Sequence, residues 1–176
     1  MLHELPFSRN EALSLPKEKI LAFPQAVTAI RKARQNGLQV VLVQGTYDLT
    51  HMRGEDYRAH IRQLHAAKGA ADLLFVGLER DETVALNRAN REPHMPLDDR
   101  LHQIAARTEV DFVFGFEDII TYGENNEEYI KRYKLLHPDL LAIYKSGTHI
   151  DTKIKQATQA GVRVVLIDEE GFHHSS

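Results

Sequence analysis

The sequence predicts an α/β fold, a doubly wound parallel sheet of about five strands with helices on both faces. Short apolar runs without polar alternation recur along the chain, which is typical of parallel strands buried on both faces. Between these runs lie segments of roughly 10 to 15 residues with apolar side chains at helical spacing. Strands and helices that alternate in this way form right-handed βαβ units, which place helices on both faces of one sheet.

The chain fits one domain with a short extension, because its 176 residues are close to the roughly 150 expected of a domain. The first 23 residues are irregular and contain prolines, so we expect an N-terminal extension over 1–23 and the domain over 24–176. A helix follows directly, since Ala26, Ile30 and Ala33 share one helical face and Gly37 stands where a C-terminal cap belongs.

Five apolar runs are predicted to form the strands. They lie at 40–43, 73–78, 110–114, 140–144 and 162–167. Helical faces and helix-end signals predict four helices between them. One ends near Gly69, one begins at Pro96, and the last two cover 127–136 and 151–160. In open parallel sheets, ligands bind beyond the carboxyl ends of the strands, at the point where the strand order reverses. We therefore expect the site in the segments that follow strands, which are 44–54, 79–91, 115–118, 145–149 and 168 onward.

Composition excludes several classes of protein. The absence of cysteine excludes disulfide scaffolds, cysteine-ligated zinc and thiol nucleophiles. A net charge of −3 gives no basic field, so no nucleic-acid partner is expected. No apolar run approaches the roughly 18 residues that cross a bilayer, and no secretory signal is visible, so we expect a cytoplasmic protein without a membrane partner. The adjacent His173 and His174 make a poor chelate, and no metal site built from side chains is predicted.

Residues 45–54, which follow the first predicted buried strand, read GTYDLTHMRG and carry the strongest functional signal. They have neither the G-x-G-x-x-G spacing of a dinucleotide site nor the G-x-x-x-x-G-K-[ST] spacing of a P-loop. They do combine a glycine, Asp48 and His51 ahead of a helix start. A helix N-terminus binds phosphate through free N–H groups, and a histidine there can donate to a phosphoryl oxygen. The alternative is an ordinary turn in which Asp48 bonds the local backbone.

This loop and three later segments resemble the cytidylyltransferase-like nucleotidylyltransferases. GTYDLTH after VVLV is similar to the family signature G-[TS]-F-D-x-x-H-x-G-H. The segments VGLERDETV, MPLDDRLHQIAARTEVDFVFGF and HPDLLAIYKSGTH then follow in the family's order. The similarity covers roughly residues 20–176 and implies a Rossmann-like sheet. Within the family, the pattern is most similar to the heptose-phosphate adenylyltransferase domain and to glycerol-3-phosphate cytidylyltransferase.

The resemblance implies an enzyme that moves AMP or CMP from a nucleoside triphosphate to a phosphorylated sugar or polyol, with release of pyrophosphate. Mg²⁺ usually assists, with ATP or CTP as substrate. The acceptor phosphate attacks the α-phosphorus in line, so the protein positions the groups and neutralises charge. The implied partners are a nucleoside triphosphate and a phosphorylated small molecule, and a homodimer is kept as an open alternative to a monomer.

The resemblance also implies roles in the loop after the first predicted buried strand. Gly45, Thr46 and Tyr47 should line the nucleotide, Asp48 should brace the loop, and His51 should contact the triphosphate.

Five later positions match other segments of the family. Arg100 and Lys145 should converge on the triphosphate as a cationic clamp. Ser146 and Gly147 should lie near the nucleotide, and Ser175 matches the family's late serine motif. The alternatives are an ordinary surface arginine at 100 and a solvated loop lysine at 145.

One departure from the family leaves two alternatives open, because Gly54 stands where the family has its second histidine. In the first, residues 52–59 loop out and His60 takes that role. In the second, the helix begins near Gly54, with Glu55 and Asp56 in its first turn. His60 then lies about 9 Å further along the helix axis, and the two carboxylates repel a triphosphate. The second alternative favours a catalytically degenerate nucleotide-binding or regulatory protein.

Overall fold

The computed structural model describes residues 15, 17–49, 54–122, 127–145, 147–168 and 171–174. These residues contain seven strands and six helices. The strands are β1 (Ile20–Leu21), β2 (Val40–Gly45), β3 (Leu73–Leu78), β4 (Phe112–Gly115), β5 (Leu140–Tyr144), β6 (Arg163–Asp168) and β7 (Gly171–His174). The helices are α1 (Phe23–Gln35), α2 (Glu55–Ala70), α3 (Asp81–Asn87), α4 (Leu97–Ala105), α5 (Glu127–Leu136) and α6 (Ile150–Gln159).

The strands form one sheet in the order β1-β4-β3-β2-β5-β6-β7, in which β1 to β6 are parallel and β7 is antiparallel. The central strand β2 pairs with β3 from Val40↔Leu73 to Gly45↔Leu78 and with β5 at Val41↔Leu140. The chain passes outward from β2 to β3 and β4 and then returns to β5 on the other side. The strand order therefore reverses between β2 and β5, which confirms the doubly wound parallel sheet.

All five predicted strands are present, but the expected total of about five is too low for the described residues. The two additional strands give weak sequence signals, since β1 has two residues and β7 reads GFHH. Ile20 of β1 pairs with Val113 of β4, so the sheet includes part of the segment before residue 24. No helix in the described part of the chain is long and apolar enough to cross a membrane.

Two apolar cores lie on the two faces of the sheet. Helices α1, α5 and α6 pack on one face, and α2 and α4 pack on the other. On α1, the predicted positions Ala26, Ile30 and Ala33 are fully buried, so the helical spacing identified the core side of this helix. Strand β3 is buried along its whole length, as expected of a parallel strand that is covered on both faces.

Aspartates close the amino ends of the central strands. The carboxylate of Asp72 accepts the N–H of Gln39 at 2.9 Å, and that of Asp111 accepts the N–H of Leu74 at 2.7 Å. Asp139 accepts the N–H of Val40 at 2.9 Å. These bonds satisfy backbone donors that have no strand partner. The side chains at the amino ends of these strands therefore stabilise the sheet, whereas ligands of such sheets bind at the carboxyl ends of the strands.

Candidate active site

A cleft of about 560 Å³ lies at the carboxyl ends of β2 and β5, where the strand order reverses. Its position agrees with the general rule for ligand sites in open parallel sheets. The loop after β2 contributes Gly45, Thr46 and Tyr47 to its wall. The other lining residues come from β2 and β5 themselves, from α2, from the end of α3, from residue 122, from the turn after β5 and from the first turns of α6.

The loop after β2 folds tightly around the ring of Tyr47. A Cβ added to Gly45 would lie 3.1 Å from Cε2 of this ring, so glycine allows the close approach. Tyr47 has a left-handed backbone, with φ of 51°, and its hydroxyl donates to Oε1 of Gln63 at 2.9 Å. Burial raises the pKa of Tyr47, which keeps its phenol neutral. The ring therefore acts as an uncharged support beneath the backbone that borders the cleft.

Asp48 is buried and connects the loop to residues 94 and 95. Its carboxylate is 1% exposed and accepts the N–H groups of His94 at 2.7 Å and Met95 at 3.1 Å. The ring Nδ1 of His94 lies 3.2 Å from the same carboxylate. Burial alone would raise the pKa of Asp48, but these hydrogen bonds outweigh it and lower the pKa. The carboxylate thus joins the loop to the segment that precedes α4.

Arg100 lies beneath the loop and has no exposed surface. Its guanidinium donates to the carbonyl oxygens of Thr46 at 2.6 Å, Glu79 at 2.8 Å and Met95 at 3.0 Å. It also forms an ion pair with Asp81 at 2.5 Å. Arg100 therefore fastens together three segments at the carboxyl edge. This placement differs from both sequence interpretations, a clamp on the triphosphate and an ordinary surface arginine.

Lys145 is not among the described residues that line the cleft. Its Nζ forms an ion pair with the carboxylate of Asp168 at 2.7 Å, and its backbone N–H donates to the carbonyl oxygen of Ile167. Both partners belong to the carboxyl end of β6, the strand next to β5, so Lys145 is engaged with the neighbouring strand rather than with the cleft. The expected convergence of Arg100 and Lys145 on one ligand is not found in this arrangement of the two described side chains.

Gly147 does line the cleft, and it forms a turn in which its N–H donates to the carbonyl of Tyr144 at 2.9 Å. A Cβ at this position would lie 3.0 Å from that carbonyl oxygen, so the turn favours glycine. Three further residues that the sequence singled out, His51, Ser146 and Ser175, lie outside the described residues.

Helix α2 begins at Glu55, directly after Gly54, whose φ is 60°. The alternative in which residues 52–59 loop out is therefore wrong. His60 nevertheless lines the cleft about one and a half turns into α2, and its ring stands edge-on to Tyr47 with centroids 5.4 Å apart. In the second sequence alternative, His60 was about 9 Å further along the helix axis, too far to share one phosphate with His51. The cleft, however, follows the helix as far as Gln63, so His60 can line it from this position.

Two cationic side chains of the cleft were not recognised as site residues. Arg88 at the end of α3 falls within the expected segment 79–91, and Lys153 lies in the first turns of α6. Burial lowers the pKa of Lys153, and the charge of Glu79 offsets this only in part. The sequence did offer one signal for Lys153, which is its position shortly after β5. A helix that follows the carboxyl end of a central strand begins beside the cleft, so the side chains of its first turns can line it.

One side of the cleft is aromatic and is formed by Tyr122 and His149, and Asn87 at the end of α3 positions Tyr122. Oδ1 of Asn87 accepts the N–H of Tyr122 at 2.7 Å, and its Nδ2 donates to the carbonyl of Ile120 at 2.7 Å. The Tyr122 ring thereby faces His149, with centroids 6.2 Å apart. No local pattern marks Tyr122, since it lies in an irregular segment after β4 and is positioned by Asn87.

A buried ionic cluster lies next to this aromatic side. Arg132 of α5 binds both carboxylate oxygens of Glu79, at 2.7 and 3.1 Å, and pairs with Asp118 at 2.7 Å. Its guanidinium also lies over the ring of Phe116, 3.6 Å from the centroid. Burial alone would lower the pKa of Arg132, but the two carboxylates outweigh it and raise the pKa. These contacts fix α5 against the ends of β3 and β4.

The described residues contain no group of three or more His, Asp or Glu side chains arranged to hold a metal ion. Mg²⁺ in nucleotide-dependent enzymes is commonly held by one or two carboxylates together with the phosphates of the substrate. Among the described residues that line the cleft there is no carboxylate, so in this part of the site a magnesium ion would have to be coordinated by the phosphates of the nucleotide.

Comparison with known proteins gives consistent matches. The sequence model of a family described as cytidylyltransferase-like matches residues 42–170. The bifunctional protein HldE of Gluconacetobacter diazotrophicus is 32% identical over 154 residues, which cover 86% of this chain and 28% of that protein. HldE of Sulfurimonas denitrificans is 28% identical over 149 residues, which cover 85% of this chain and 28% of that protein. The chain thus spans about 28% of the length of these relatives.

Two solved structures share the fold. The lipopolysaccharide core biosynthesis protein from Thermoplasma volcanium has a TM-score of 0.55 at 18% identity, over 80% of this chain and 100% of that chain. Pantoate-beta-alanine ligase from Francisella tularensis, crystallised with beta-gamma ATP and beta-alanine, has a TM-score of 0.57 at 15% identity. That match covers 86% of this chain and 67% of the ligase. At these identities the likeness concerns the fold alone.

Proposed function

The chain belongs to the cytidylyltransferase-like family, and from this premise we propose that it is a nucleotidyltransferase acting on a small phosphorylated acceptor. It moves AMP or CMP from ATP or CTP to a phosphorylated sugar or polyol and releases pyrophosphate. The resemblance to the heptose-phosphate adenylyltransferase domain favours ATP and a sugar phosphate as the first pair to test. Magnesium enters with the triphosphate and helps to neutralise its charge.

The observation that carries this proposal is the rigid loop at the reversal point of the sheet. The backbone of residues 45–47 borders a cleft of about 560 Å³ and is fastened from below by Asp48 and Arg100. A transfer between two phosphates needs positioned groups more than covalent chemistry from the protein. A loop held by two buried charged side chains supplies that positioning without reorganisation during the reaction.

The reaction needs no covalent intermediate with the protein. A phosphate oxygen of the acceptor forms a bond to the α-phosphorus as the bond from that phosphorus to the bridging oxygen breaks. The electron pair leaves with pyrophosphate. His60, Arg88 and Lys153 face this space and can donate to phosphate oxygens whose negative charge increases along the path.

A pyrophosphate-release assay tests the proposal directly. The chain is incubated with Mg²⁺ and each of ATP, CTP, GTP and UTP, alone and with each member of a panel of sugar and polyol phosphates. We expect release that requires both one nucleotide and one acceptor. Release with a nucleotide alone would indicate hydrolysis instead. Absence of release from every pair, although a nucleotide still stabilises the fold, would favour the second candidate below.

The second candidate is a catalytically degenerate nucleotide-binding or regulatory protein of the same fold. It is favoured by the start of α2, where Glu55 and Asp56 occupy the first turn instead of the family's histidine. It is also favoured by Arg100 and Lys145, both of which are engaged within the protein. Such a protein binds a nucleotide with micromolar or better affinity and releases no pyrophosphate with any acceptor.

A further inference from the structure

The cleft continues into a side pocket between α5 and α6, with a volume of about 70 Å³. Gln44 forms one end of it, Tyr129 contributes from α5, and Thr152 and Lys153 contribute from α6. Lys153 and Gln44 line both the cleft and the side pocket, so they stand at the mouth between the two spaces.

The mouth of the side pocket carries two polar groups that a ligand would satisfy. The amide nitrogen of Gln44 donates to the Tyr133 hydroxyl at 2.7 Å, but its Oε1 is buried without a hydrogen-bond partner in the described part of the chain. Lys153 is half-buried, and its Nζ has no hydrogen-bond or ion-pair partner in the described part of the chain. A buried acceptor without a partner is unfavourable, and the half-buried ammonium beside it is available to a bound anion.

The size of the side pocket limits what can enter it. A cavity needs about 10–15 Å³ to hold one water, so 70 Å³ accommodates a few hydroxyl-bearing atoms but no nucleobase or whole sugar ring. Its aromatic wall is formed by Tyr122 and Tyr129, whose rings stack with centroids 6.1 Å apart. Such faces pack against the C–H groups of a polyol while polar groups bind its hydroxyls.

We propose that the side pocket is the acceptor subsite, with Lys153 binding the acceptor phosphate at the mouth and Gln44 accepting a hydrogen bond from an acceptor hydroxyl. This inference rests on the proposed function, because it assigns the attacking substrate of that reaction. The phosphate stays at the border of the cleft, where it can reach the α-phosphorus, and the hydroxylated end of the molecule extends into the side pocket. The pocket volume selects a short polyol phosphate, or a sugar phosphate that inserts only one edge.

Binding measurements on the full chain test the assignment without requiring turnover. The probes are ATP with Mg²⁺, glycerol 3-phosphate, glucose 1-phosphate and inorganic phosphate, each titrated by calorimetry. We expect K153M to weaken the binding of glycerol 3-phosphate or glucose 1-phosphate at least tenfold and to change the ATP dissociation constant less than threefold. K155M is the matched control, since Lys155 is exposed on the same helix, and it should change neither value.

Two further variants test the role of Gln44. Q44L should weaken glycerol 3-phosphate or glucose 1-phosphate but leave inorganic phosphate unchanged, because only the former molecules bring a hydroxyl. Y133F removes the internal hydrogen bond of Gln44 and keeps its Oε1, so it should have little effect. If K153M does not fold, K153R keeps the charge and should retain most of the affinity.

The outcomes separate this inference from the proposed function. A tenfold loss of ATP affinity in K153M, with the phosphate probes unaffected, would assign Lys153 to the triphosphate and overturn the acceptor subsite alone. Failure of glycerol 3-phosphate, glucose 1-phosphate and inorganic phosphate to bind the wild type would overturn it as well. Failure of ATP and CTP to bind, together with absent pyrophosphate release, would count against the proposed function itself.

Discussion

Arg100 shows how the surroundings of a residue determine its role. Its guanidinium is buried and bonds three carbonyls from separate segments. We expect R100M to lower the free energy of unfolding by about 3 kcal/mol, because it leaves these carbonyls and Asp81 without their cation. Urea unfolding measures the change, and R31M, on the exposed side of α1, should stay within about 0.5 kcal/mol. If R100M instead left the stability unchanged and weakened ATP binding, Arg100 would be assigned to binding the triphosphate.

Asp48 makes the stability of the loop depend on pH. The pKa of Asp48 is lowered in the folded protein, so its contribution to the free energy of unfolding is complete above the pKa of the unfolded chain, about 3.9. This contribution is lost as the pH falls through the lower pKa that Asp48 has in the folded protein. We expect D48N to lower the free energy of unfolding by about 1–3 kcal/mol at pH 7, since the N–H groups of His94 and Met95 lose a charged acceptor.

The difference between D48N and the wild type should shrink as the pH falls below about 3.9, because the wild type then loses the same charge. Chemical unfolding at pH 7 and at several values between 4 and 3 measures this trend. D98N is the control, since Asp98 is 82% exposed, and its effect should be small at every pH. A difference that stays constant through this range would show that the carboxylate charge of Asp48 does not support the loop.

Helix α2 provides a matched test of the cleft wall. His60 lines the cleft, whereas His65 is exposed on the same helix. We expect a nucleotide at 100 times its dissociation constant to stabilise the wild type by about 2.7 kcal/mol, which appears as a rise in Tm. H60A should reduce this rise, because it removes a donor near the phosphates, and H65A should preserve it. Equal rises in the two variants would remove His60 from the site.

Helix α5 is attached to the sheet by the charge cluster around Arg132. We expect E79Q to lower the free energy of unfolding by about 3–5 kcal/mol, since it removes one partner of a buried ion pair. E128Q is the control, because Glu128 pairs with Lys131 on the exposed surface of the same helix, where such pairs contribute about 0–1 kcal/mol. Thermal and urea unfolding of both variants measure the contrast. Similar losses in the two would mean that α5 is held by its apolar contacts alone.

For the molecule as a whole, local patterns predicted what depends on local sequence. The apolar runs predicted five strands correctly, and the spacing of Ala26, Ile30 and Ala33 predicted the buried side of α1. The rule for ligand sites in parallel sheets directed attention to the segment after β2, and residues 45–47 line the cleft there. Their roles toward a nucleotide stay a prediction. These features depend on neighbours in the sequence or on a short motif.

Features that depend on distant segments were not predictable in the same way. Arg100 is buried because residues 46, 79 and 95 meet around it, and Lys153 faces the cleft because α6 begins beside β2. Tyr122 owes its position to Asn87, 35 residues earlier. Each of these contacts forms only once the order of the strands is known, and no periodicity within one element encodes it.

The central place of β2 has a consequence for the nascent chain. The N–H of Val40 binds the carboxylate of Asp139, 99 residues later. At a synthesis rate of roughly 5–20 residues per second, the ribosome needs about 5–20 s to provide that partner. During this interval one edge of the VVLV strand has no neighbour and must be kept from other chains, a task for which cells use chaperones. The two strands that border the cleft are therefore joined late, and the ligand site is assembled only after the segment that contains Asp139 and β5 has emerged.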